Sequence, residues 1–422
     1  MSGRARDIAI VGAGQLGLHL GIGLLRQGHR VRLITNRTGE QIREGGVLSS
    51  QAMLAPSLDL ERRLGLELWE GACPPIQGVH LTWVDRSGAE VTRFSAPRAR
   101  PALSVDQRVK MPEWMDRFTA AGGDLAIEDV DAGGLSALAD GHDLVVVAAG
   151  KGDISGLFPR DTEATEFDTP QRHLALAYVR GVRPHEVFEG NDFGKADGVG
   201  EMFMFPALTV SGPCHIITVE AEPGGPLDVF APRTAPERVL DQIKEAAAAH
   251  FPWLARRIAG AVVTDAGATL AGRFAPTRRR PVAHTASGRA ILGGGDVLVL
   301  NDPVTGQGAN NAARCAQLYL DEIAGRGDAP FDEAWMTRTF ERYERLVSAS
   351  TRWTNQVLRP WPPHVRDLLA GARDRGDLAQ AFAEGFGDPA SILSWWESPR
   401  EAARLLGREG DTAGHAVTGG PR

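Results

Sequence analysis

The sequence predicts an α/β fold with three parts: a parallel sheet built from βαβ units, an inserted β-rich domain and a helical C-terminus. Residues 7–34 predict a strand, a glycine turn, an amphipathic helix and a second strand. Residues 174–229 are typical of several antiparallel strands separated by Gly and Pro turns. From residue 331 to about residue 406 the apolar spacing is helical, with a break at the segment RPWPPH.

Three further elements complete this prediction. HDLVVVAAG at 142–150 predicts another buried strand of the parallel type. VHLTWVDRSGAEVTRFSA at 79–96 predicts a hairpin with a Ser-Gly turn. Residues 236–258 predict one helix with a proline near its start.

The composition argues against several classes of partner. The chain has 422 residues, 43% of them hydrophobic and 23% charged, which is typical of a globular protein with two domains or one domain with large insertions. The formal net charge of −7 argues against nucleic acid or an anionic membrane as a partner. No apolar run approaches the length of a membrane span. The three cysteines are widely spaced, so we expect a reduced, cytoplasmic protein.

Gly12, Gly14 and Gly17 form a G-x-G-x-x-G turn between the first predicted strand and helix. In such a turn the first glycine permits the tight bend, the second lets a pyrophosphate approach the backbone, and the third lets helix and strand pack closely. The phosphates then meet the helix N-terminus, where free N–H groups and the dipole favour negative charge. The turn therefore predicts dinucleotide binding, without distinguishing NAD from FAD.

The second predicted strand lacks the acid that usually holds the ribose hydroxyls of a dinucleotide. It ends in Thr35, Asn36 and Arg37. Two interpretations stay open. In one, Asn36 hydrogen-bonds a ribose and Arg37 faces a phosphate; in the other, the two residues form a polar turn without a ligand.

A second glycine-rich segment, GGGDVLVLNDPVTGQGAN at 293–310, lies far along the chain. A short strand leads into Gly295 and Asp296, and this carboxylate can accept hydrogen bonds from the ribityl hydroxyls of a flavin. The following loop opens a helix whose N–H groups, around residues 306–309, can stabilise negative charge at the N1–C2=O edge of a reduced flavin. NAD enzymes do not need this second element, so the two segments together favour FAD.

The predicted fold class is therefore α/β, with a Rossmann-like FAD-binding domain of the hydroxylase (glutathione-reductase-like) type, an inserted β-rich substrate domain and a helical C-terminus. We expect the following boundaries: a discontinuous FAD-binding domain at 1–50, 97–165 and 265–330, a β-rich substrate-binding domain at 51–96 and 166–264, a C-terminal helical segment at 331–408, and a disordered tail at 409–422.

The chain resembles the styrene/indole monooxygenase family from Ile8 to about Leu358. The resemblance is carried by the segments IAIVGAGQLGLHLGIGLL, SVDQRVKMPEWM, HDLVVVAAGKG, GGGDVLVLNDPVTGQGAN and TRWTN. The combination of DPVTGQGAN with RWTN is more specific than a glycine fingerprint. Single-component hydroxylases carry GDA-x-H where this chain has GDVLVLND, so that histidine is absent here.

The resemblance implies the oxygenase half of a two-component system. FAD binds non-covalently in such a system, already reduced by a separate NADH:flavin reductase that interacts transiently. The implied FAD-binding residues are Gly12, Ala13, Gly14 and Gly17 at the pyrophosphate, Arg108 on the helix over the cofactor, Asp296 with Gly295 at the ribityl chain, and Pro303, Gly306, Gln307, Gly308, Ala309 and Asn310 at the flavin ring. Asn36, Arg37 and Gly150, at the ends of two predicted strands, are assigned to the same site.

The resemblance also bears on the substrate. The stretch GGVLSSQAMLAPSLDLE at 45–61 aligns without gaps to the family's active-site helix. Where the styrene branch carries Asn, Val and His along this helix, the chain carries Ser49, Gln51 and Met53. Ser49 and Gln51 can hydrogen-bond an indole N–H or orient the peroxide.

Three further positions complete the implied substrate pocket. Ile76 and Val79 stand where the styrene branch tends to have Tyr and His, and Ala102 stands where it has Ser. Together with Met53 these residues form an apolar slot that suits a small, flat aromatic. All six choices favour the indole branch.

The implied reaction begins with reduced FAD and O2, which form a C4a-hydroperoxyflavin. Oxygen transfer to the C2=C3 bond of indole gives an epoxide that opens to indoxyl and leads on to indigo; styrene-like aryl alkenes and sulfides are further expected substrates. The flavin does the chemistry, so we expect no catalytic acid or base and no metal.

Other functions stay open from the sequence. A single-component aromatic hydroxylase would oxidise NAD(P)H itself and act on phenols. A non-catalytic flavin-binding protein would bind FAD without oxygen transfer. The C-terminal helices either cover the substrate domain or form the contact of a homodimer.

Overall fold

The computed structural model describes residues 4–149 and 153–407. The predicted cofactor residue Gly150 and the tail at 409–422 lie outside the described residues. The strands are β1 (Asp7–Val11), β2 (Arg30–Thr35), β3 (Ile76–Val84), β4 (Glu90–Ala102), β5 (Asp124–Ile127), β6 (Leu144–Val147), β7 (His173–Arg180), β8 (Asn191–Ala196), β9 (Gly200–Thr209), β10 (Gly212–Ala221), β11 (Val262–Val263), β12 (Thr269–Arg273), β13 (Thr277–Arg278), β14 (Val282–His284), β15 (Ala290–Gly293) and β16 (Val299–Leu300).

The helices follow the same chain order. They are α1 (Gln15–Arg26), α2 (Gly39–Arg43), α3 (Ala55–Arg63), α4 (Gln107–Ala120), α5 (Ala132–Gly141), α6 (Pro236–His250), α7 (Pro252–Ile258), α8 (Gly308–Arg326), α9 (Glu333–Val357), α10 (Pro363–Gly371), α11 (Gly376–Gly385), α12 (Pro389–Trp396) and α13 (Pro399–Leu405). Short 3₁₀ turns span Asp153–Leu157, Gly295–Val297 and Pro303–Thr305. Among the residues that the structure describes, no helix combines the length and apolar character that a membrane crossing requires.

A six-stranded sheet has the order β14-β15-β6-β1-β2-β5. The edge strand β14 is antiparallel to β15, and every other neighbouring pair is parallel. β1 lies near the centre, between β2 and β6, and its apolar residues and all of β6 are buried, as strands covered on both faces require. This sheet confirms the predicted βαβ unit at the start of the chain.

The helices that follow the two glycine-rich segments, α1 and α8, pack directly against each other. A Cβ placed on Gly23 of α1 would lie 2.4 Å from Leu320 Cδ1 of α8, so only glycine permits this separation of the two helices. The packing keeps the two segments together, although they are far apart in the chain.

A second, eight-stranded sheet has the order β11-β7-β10-β9-β8-β3-β4, with β12 also paired to β7. Its pairs are antiparallel except for β3 with β8. The predicted hairpin is confirmed: β3 and β4 are joined at Ser87 and Gly88, where Gly88 has a φ of 81°. The predicted antiparallel strands of residues 174–229 are confirmed as β7 to β10.

The two faces of this sheet bury different elements. Along β9, Met202 and Met204 pack with α6 and α7, whereas Phe203 and Phe205 pack on the side of the C-terminal helices. The alternation follows from the two-residue period of a strand. Aromatic contacts connect the second face to those helices; the ring centroids of Phe94 and Phe382 are 5.8 Å apart. The C-terminal helices thus cover the sheet.

The structure corrects two features of the sequence prediction. The single helix predicted at 236–258 is two helices, because Pro252 cannot donate a helical hydrogen bond and holds Phe251 out of helical geometry, at φ −133° and ψ 59°. The helix expected at 45–61 begins only at Ala55, and the residues before it are not helical.

Two stretches that the prediction assigns to the FAD-binding domain pair within the eight-stranded sheet. β4 continues past residue 96 as far as Ala102, which pairs with Ile76. β12 pairs with β7 along its whole length. Backbone pairing therefore links residues 97–102 and 269–273 to the β-rich part of the molecule.

Candidate active site

The two glycine-rich segments meet at the carboxyl edge of the six-stranded sheet. The ends of β1, β6 and β15 are in register, since Val11 pairs with Val147 and Val147 pairs with Gly293. Beyond the strands, Gly294 N donates to Val147 O at 2.9 Å and Ala148 N donates to Val11 O at 2.8 Å. This edge is where open α/β sheets bind ligands.

The three glycines of the first turn have different surroundings. Gly12 has a φ of +117°, and a Cβ there would lie 2.8 Å from Ala149 N; a Cβ on Gly17 would lie 1.9 Å from Gly12 O. Gly14, by contrast, has no atom of the described residues within 4 Å of its Cβ position. Ala13, between them, is buried. Gly12 and Gly17 therefore satisfy internal packing, whereas Gly14 leaves open space at the start of α1, which no side chain caps.

The turn that ends β15 packs on the start of α1. A Cβ on Gly294 would lie 2.7 Å from Leu16 Cδ2, and Gly295 adopts a φ of +57°. Asp296 follows in the 3₁₀ turn and is exposed. The acid predicted to hold the ribityl chain thus lies next to the helix predicted to hold the pyrophosphate.

The loop before α8 presents a flat backbone surface. Gly306 has a φ of +66°, and neither Gly306 nor Gly308 has an atom within 4 Å of its Cβ position. No side chain caps α8, so the first N–H groups around Ala309 have no side-chain acceptor. Asp302 fixes the entry to this loop, because its Oδ1 accepts from Val304 N at 3.1 Å. Open glycines and an uncapped helix start at both segments fit the pyrophosphate and the ring of FAD.

Gln307 and Asn310 fasten this loop to other parts of the protein. Gln307 is fully buried, and its Nε2 donates to Phe386 O at 2.9 Å. Asn310 Nδ2 donates to Ala52 O at 2.9 Å, and its Oδ1 accepts from Leu54 N at 2.9 Å. The structure therefore shows both side chains holding neighbouring backbone around the predicted flavin-ring loop. Pro303, also predicted there, lines the cavity described below.

The TRWTN motif supports the same loop. Thr354 of α9 is hydrogen-bonded through its hydroxyl to the hydroxyl of Thr305, and Asn355 Nδ2 donates to Glu166 Oε1 at 2.9 Å. The motif singled out by the sequence thus positions the loop from behind.

Arg108 lies buried near the start of α4 and is saturated by protein acceptors. Its guanidinium donates to Asp106 Oδ2 at 2.9 Å, to Asp265 Oδ1 at 2.8 Å, to Thr209 Oγ1 at 3.0 Å and to Gly45 O at 3.3 Å. The structure shows Arg108 tying α4 to the segment that begins at Gly45. At the end of β2, Asn36 is exposed and Arg37 is half-buried.

Residues 46–54 connect α2 to α3 without helical structure, and Met53 pairs with Leu103 in an isolated antiparallel bridge. Side chains alternate along extended backbone, so Ser49, Gln51 and Met53 share one side. On that side Ser49 Oγ accepts from Gln107 Nε2 at 2.8 Å, Gln51 is hydrogen-bonded to Val105 O at 2.5 Å, and Met53 packs in a small apolar cluster. These three predicted pocket residues therefore face α4.

The alternate side chains of the segment line a cavity of about 50 Å³ beside the flavin-ring loop. Of the predicted pocket residues, Ile76 lines this cavity, whereas Val79 and Ala102 are buried in the adjoining core. The cavity is lined by Ser50, Ala52, Leu54, Ile76, Arg98, Asn191, Phe203, Phe205, Thr218, Glu220, Pro303, Val304, Thr305, Gly306 and Phe386. The sequence prediction did not include the β9 and β10 residues, although their two-residue spacing placed each pair on one strand face.

Two glutamates of the sheet lie beside this cavity in different charge states. Glu201 of β9 is buried and paired with Arg172 Nε at 2.7 Å and with Lys195 Nζ at 3.4 Å. Burial alone would raise the pKa of Glu201, but the two cations outweigh it and hold the pKa below its usual value. Glu201 is therefore ionised.

Glu220 lies directly opposite Glu201 on β10 and is hydrogen-bonded to Asp302. Burial, followed by the charges of Asp302 and Glu201, raises the pKa of Glu220 well above its usual value. Burial also raises the pKa of Asp302, to about 6. Glu220 therefore keeps its proton to a higher pH than an ordinary glutamate does.

Comparison with known proteins supports this architecture. Residues 150–257 match a protein-family profile described as "Styrene monooxygenase A putative substrate binding domain". A styrene monooxygenase StyA of Pseudomonas fluorescens is 30% identical over 403 residues, covering 93% of this chain and 96% of the relative.

Solved structures share the fold at low sequence identity. The flavin-dependent brominase Bmp2 superposes with a TM-score of 0.63 at 15% identity, covering 96% of this chain and 99% of Bmp2. PqsL of P. aeruginosa, in complex with 2-aminobenzoylacetate, superposes with a TM-score of 0.62 at 16% identity, covering 88% of this chain and all of PqsL.

The near-full-length identity to a styrene monooxygenase assigns the protein to the monooxygenases, and its fold and paired glycine-rich segments fit FAD as the cofactor. Within that class, the protein belongs to the styrene monooxygenase family, because the identity of 30% extends over nearly the whole of both chains. The resemblance seen in the sequence is confirmed at the level of the family.

Proposed function

We propose that the protein is the oxygenase component of a two-component monooxygenase that epoxidises indole. One atom of O2 adds across the C2=C3 bond, the other leaves as water, and reduced FAD supplies the two electrons and becomes oxidised FAD. Styrene-like alkenes and aryl sulfides are further proposed substrates. One observation carries the proposal: a narrow cavity with aromatic walls opens against the loop that best fits the flavin ring.

Reduced FAD supplies the oxygen-activating chemistry, and the protein supplies binding, orientation and exclusion of water. We assign the pyrophosphate to Gly14 and the start of α1, the ribityl chain to Asp296, and the flavin ring to Gly306 and the residues that follow. The support is the open space at these glycines and the uncapped start of both helices.

The walls of the cavity support a flat aromatic substrate. Phe203 and Phe205 of β9 and Ile76 of β3 line it from the sheet, and Leu54 and Phe386 line it from other elements. A volume of about 50 Å³ holds one or two water molecules. An aromatic ring therefore enters when a wall side chain moves. We expect this side chain to be Phe386, because it lies in the turn between α11 and α12 and not on a strand.

A separate reductase is part of the proposal. The sequence contains a single G-x-G-x-x-G turn, at residues 12–17, and we assign it to FAD. Electrons then arrive with reduced FAD delivered by a transient NADH:flavin reductase. We also place the protein in the cytoplasm, since Cys73, Cys214 and Cys315 are buried free thiols.

The deciding experiment incubates purified protein with FAD, NADH and indole in air, with and without an unrelated flavin reductase. Indole consumption and blue pigment are followed. Product formed only with the reductase supports the two-component proposal. Product without it shows that the chain oxidises NADH itself. FAD binding without product in either case overturns indole epoxidation.

A further inference from the structure

One wall of the cavity carries buried polar atoms that have no hydrogen-bond partner among the described residues. They are Asn191 Oδ1 on β8, and Thr218 Oγ1 and Glu220 Oε2 on β10. Thr218 is 5% exposed and Glu220 is 1% exposed. Buried polar atoms are nearly always hydrogen-bonded, because leaving them unpaired costs free energy. Three such atoms along one cavity wall are positioned to bind a ligand that enters the cavity.

The wall lies next to the predicted flavin-ring loop. Glu220 is hydrogen-bonded to Asp302, and Asp302 directly precedes Pro303 at the start of that loop. Thr218 and Glu220 point to the same face of β10, because they are two residues apart on one strand. A group bound at this wall therefore lies close to the loop.

The wall is polar, and the cations around it are already bound to other groups of the protein. Arg172 and Lys195 are both paired with Glu201, and Lys195 is also paired with Asp197. Arg98 lines the cavity, but its Nε donates to Ala383 O at 3.0 Å and its guanidinium lies over the Phe386 ring at 5.2 Å. The unpaired atoms of the wall include the oxygens of an amide and a hydroxyl, both of which accept hydrogen bonds.

We propose that Asn191, Thr218 and Glu220 form a hydrogen-bonding subsite for the N–H group of a neutral heteroaromatic substrate. The subsite rests on the proposed function and sets a preference for N–H aromatics over hydrocarbon alkenes. The nitrogen of indole is bonded to C2, so an N–H anchored at this wall holds the reacting C2=C3 bond one atom away. The subsite thus orients the ring as well as selecting it.

The test measures equilibrium binding to the FAD-loaded protein, which needs no turnover. The probes are indole and benzofuran, which has the same shape with oxygen in place of the N–H group. We expect indole to bind about tenfold more tightly, as one hydrogen bond in a desolvated site allows. Thr218→Val, which keeps the side-chain shape, should lower this ratio about threefold or more, whereas Glu220→Gln, which keeps an acceptor oxygen at the wall, should change it little.

Thr339→Val is the matched control. Thr339 is also a fully buried threonine whose hydroxyl has no protein partner, but it lies on α9 and does not line the cavity. The control should leave the indole-to-benzofuran ratio unchanged.

A wild-type ratio near one, or a ratio unchanged by Thr218→Val, overturns the subsite. Epoxidation of styrene or indole with an unchanged ratio overturns the subsite and leaves the monooxygenase proposal standing. A ratio lowered by Thr218→Val, in a protein that turns over neither substrate with reductase and NADH, supports the subsite and overturns the proposed reaction.

Discussion

Glu201 and Glu220 lie directly opposite each other on β9 and β10, yet only Glu201 is paired with cations. Two ionised carboxylates at this spacing would repel each other strongly in a buried site. Both cations are paired with Glu201, whereas Glu220 is hydrogen-bonded to Asp302. The pKa of Glu201 is therefore lowered and the pKa of Glu220 is raised. Glu220, the glutamate with the raised pKa, is the one that lines the aromatic cavity.

The first prediction concerns the ion pair. Glu201→Gln leaves Arg172 buried without its carboxylate and leaves Lys195 with Asp197 alone, so we expect a loss of about 3–5 kcal/mol in the free energy of unfolding. Urea unfolding measures it. Asp168→Asn, which removes an exposed partner of Arg160, should change little. A loss below about 1 kcal/mol would show that the buried pair contributes no more than a surface pair.

The second prediction concerns pH. Asp302 has a folded pKa of about 6 against the usual 3.8, and the pKa of Glu220 is also raised. At these two carboxyl groups, the folded protein therefore binds more protons than the unfolded chain does above about pH 4. This stabilisation is present in full below that pH and is lost as the pH rises through about 6, with Glu220 extending the loss to higher pH.

Glu220→Gln isolates this effect, since glutamine cannot ionise. Urea unfolding of both proteins from pH 4 to pH 8 should show the variant gaining stability relative to the natural protein as the pH rises. Burial also raises the pKa of Asp192, to about 7, but Asp192 is present in both proteins and its contribution cancels. If the difference in unfolding free energy between the two proteins stays constant from pH 4 to pH 8, the raised pKa of Glu220 is contradicted.

The third prediction separates packing glycines from a binding glycine. Gly17→Ala places a methyl 1.9 Å from Gly12 O, and overpacking of this kind costs about 1–3 kcal/mol of stability. Gly14→Ala meets no protein atom, so it should keep the melting temperature and weaken FAD binding. Thermal unfolding and FAD titration test both variants. If Gly14→Ala binds FAD as tightly as the natural protein does, the pyrophosphate does not bind at Gly14.

The fourth prediction concerns the ribityl chain. Asp296→Ala should weaken FAD binding roughly 10- to 100-fold, the effect of one charge-assisted hydrogen bond, with the fold intact. Asp241→Ala is the control, because Asp241 is an exposed acid on α6, on the far side of the eight-stranded sheet. Affinity is measured for oxidised FAD in air and for reduced FAD without oxygen. Unchanged affinity for reduced FAD would count against the paired-segment site.

Much of the fold was predictable because its signals are local. Buried apolar runs marked β1 and β6, a Ser-Gly pair marked the hairpin turn, and glycines marked both segments at the sheet edge. The break between α6 and α7 was also local, since Pro252 lies in the middle of the predicted helix. The proline that ends α6 is therefore a signal that the sequence itself contains.

The site was less predictable because its contacts join distant parts of the chain. Asn310 binds the backbone of residues 52 and 54, and Gln307 binds Phe386. Neither spacing nor composition indicates such partners. The polar wall likewise depends on the register of β10 against β9, which only the assembled sheet reveals.

The last prediction concerns which side of the extended segment meets the substrate. Ala52 lines the cavity, whereas Ser49 and Met53 face α4. Ala52→Leu places a larger side chain in a cavity of about 50 Å³ and so reduces the space for substrate. We therefore expect KM for indole to rise about tenfold, the effect of roughly 1.4 kcal/mol of overpacking. Steady-state kinetics with excess reductase measure it.

The double variant Ser49→Asn with Met53→His tests the other side of the segment. The family resemblance predicts that this pair shifts preference towards styrene, whereas the observed orientation predicts a smaller effect than that of Ala52→Leu. The indole-to-styrene ratio of kcat/KM decides between them. A larger shift from the double variant would mean that the segment turns its other face to the substrate when FAD is bound.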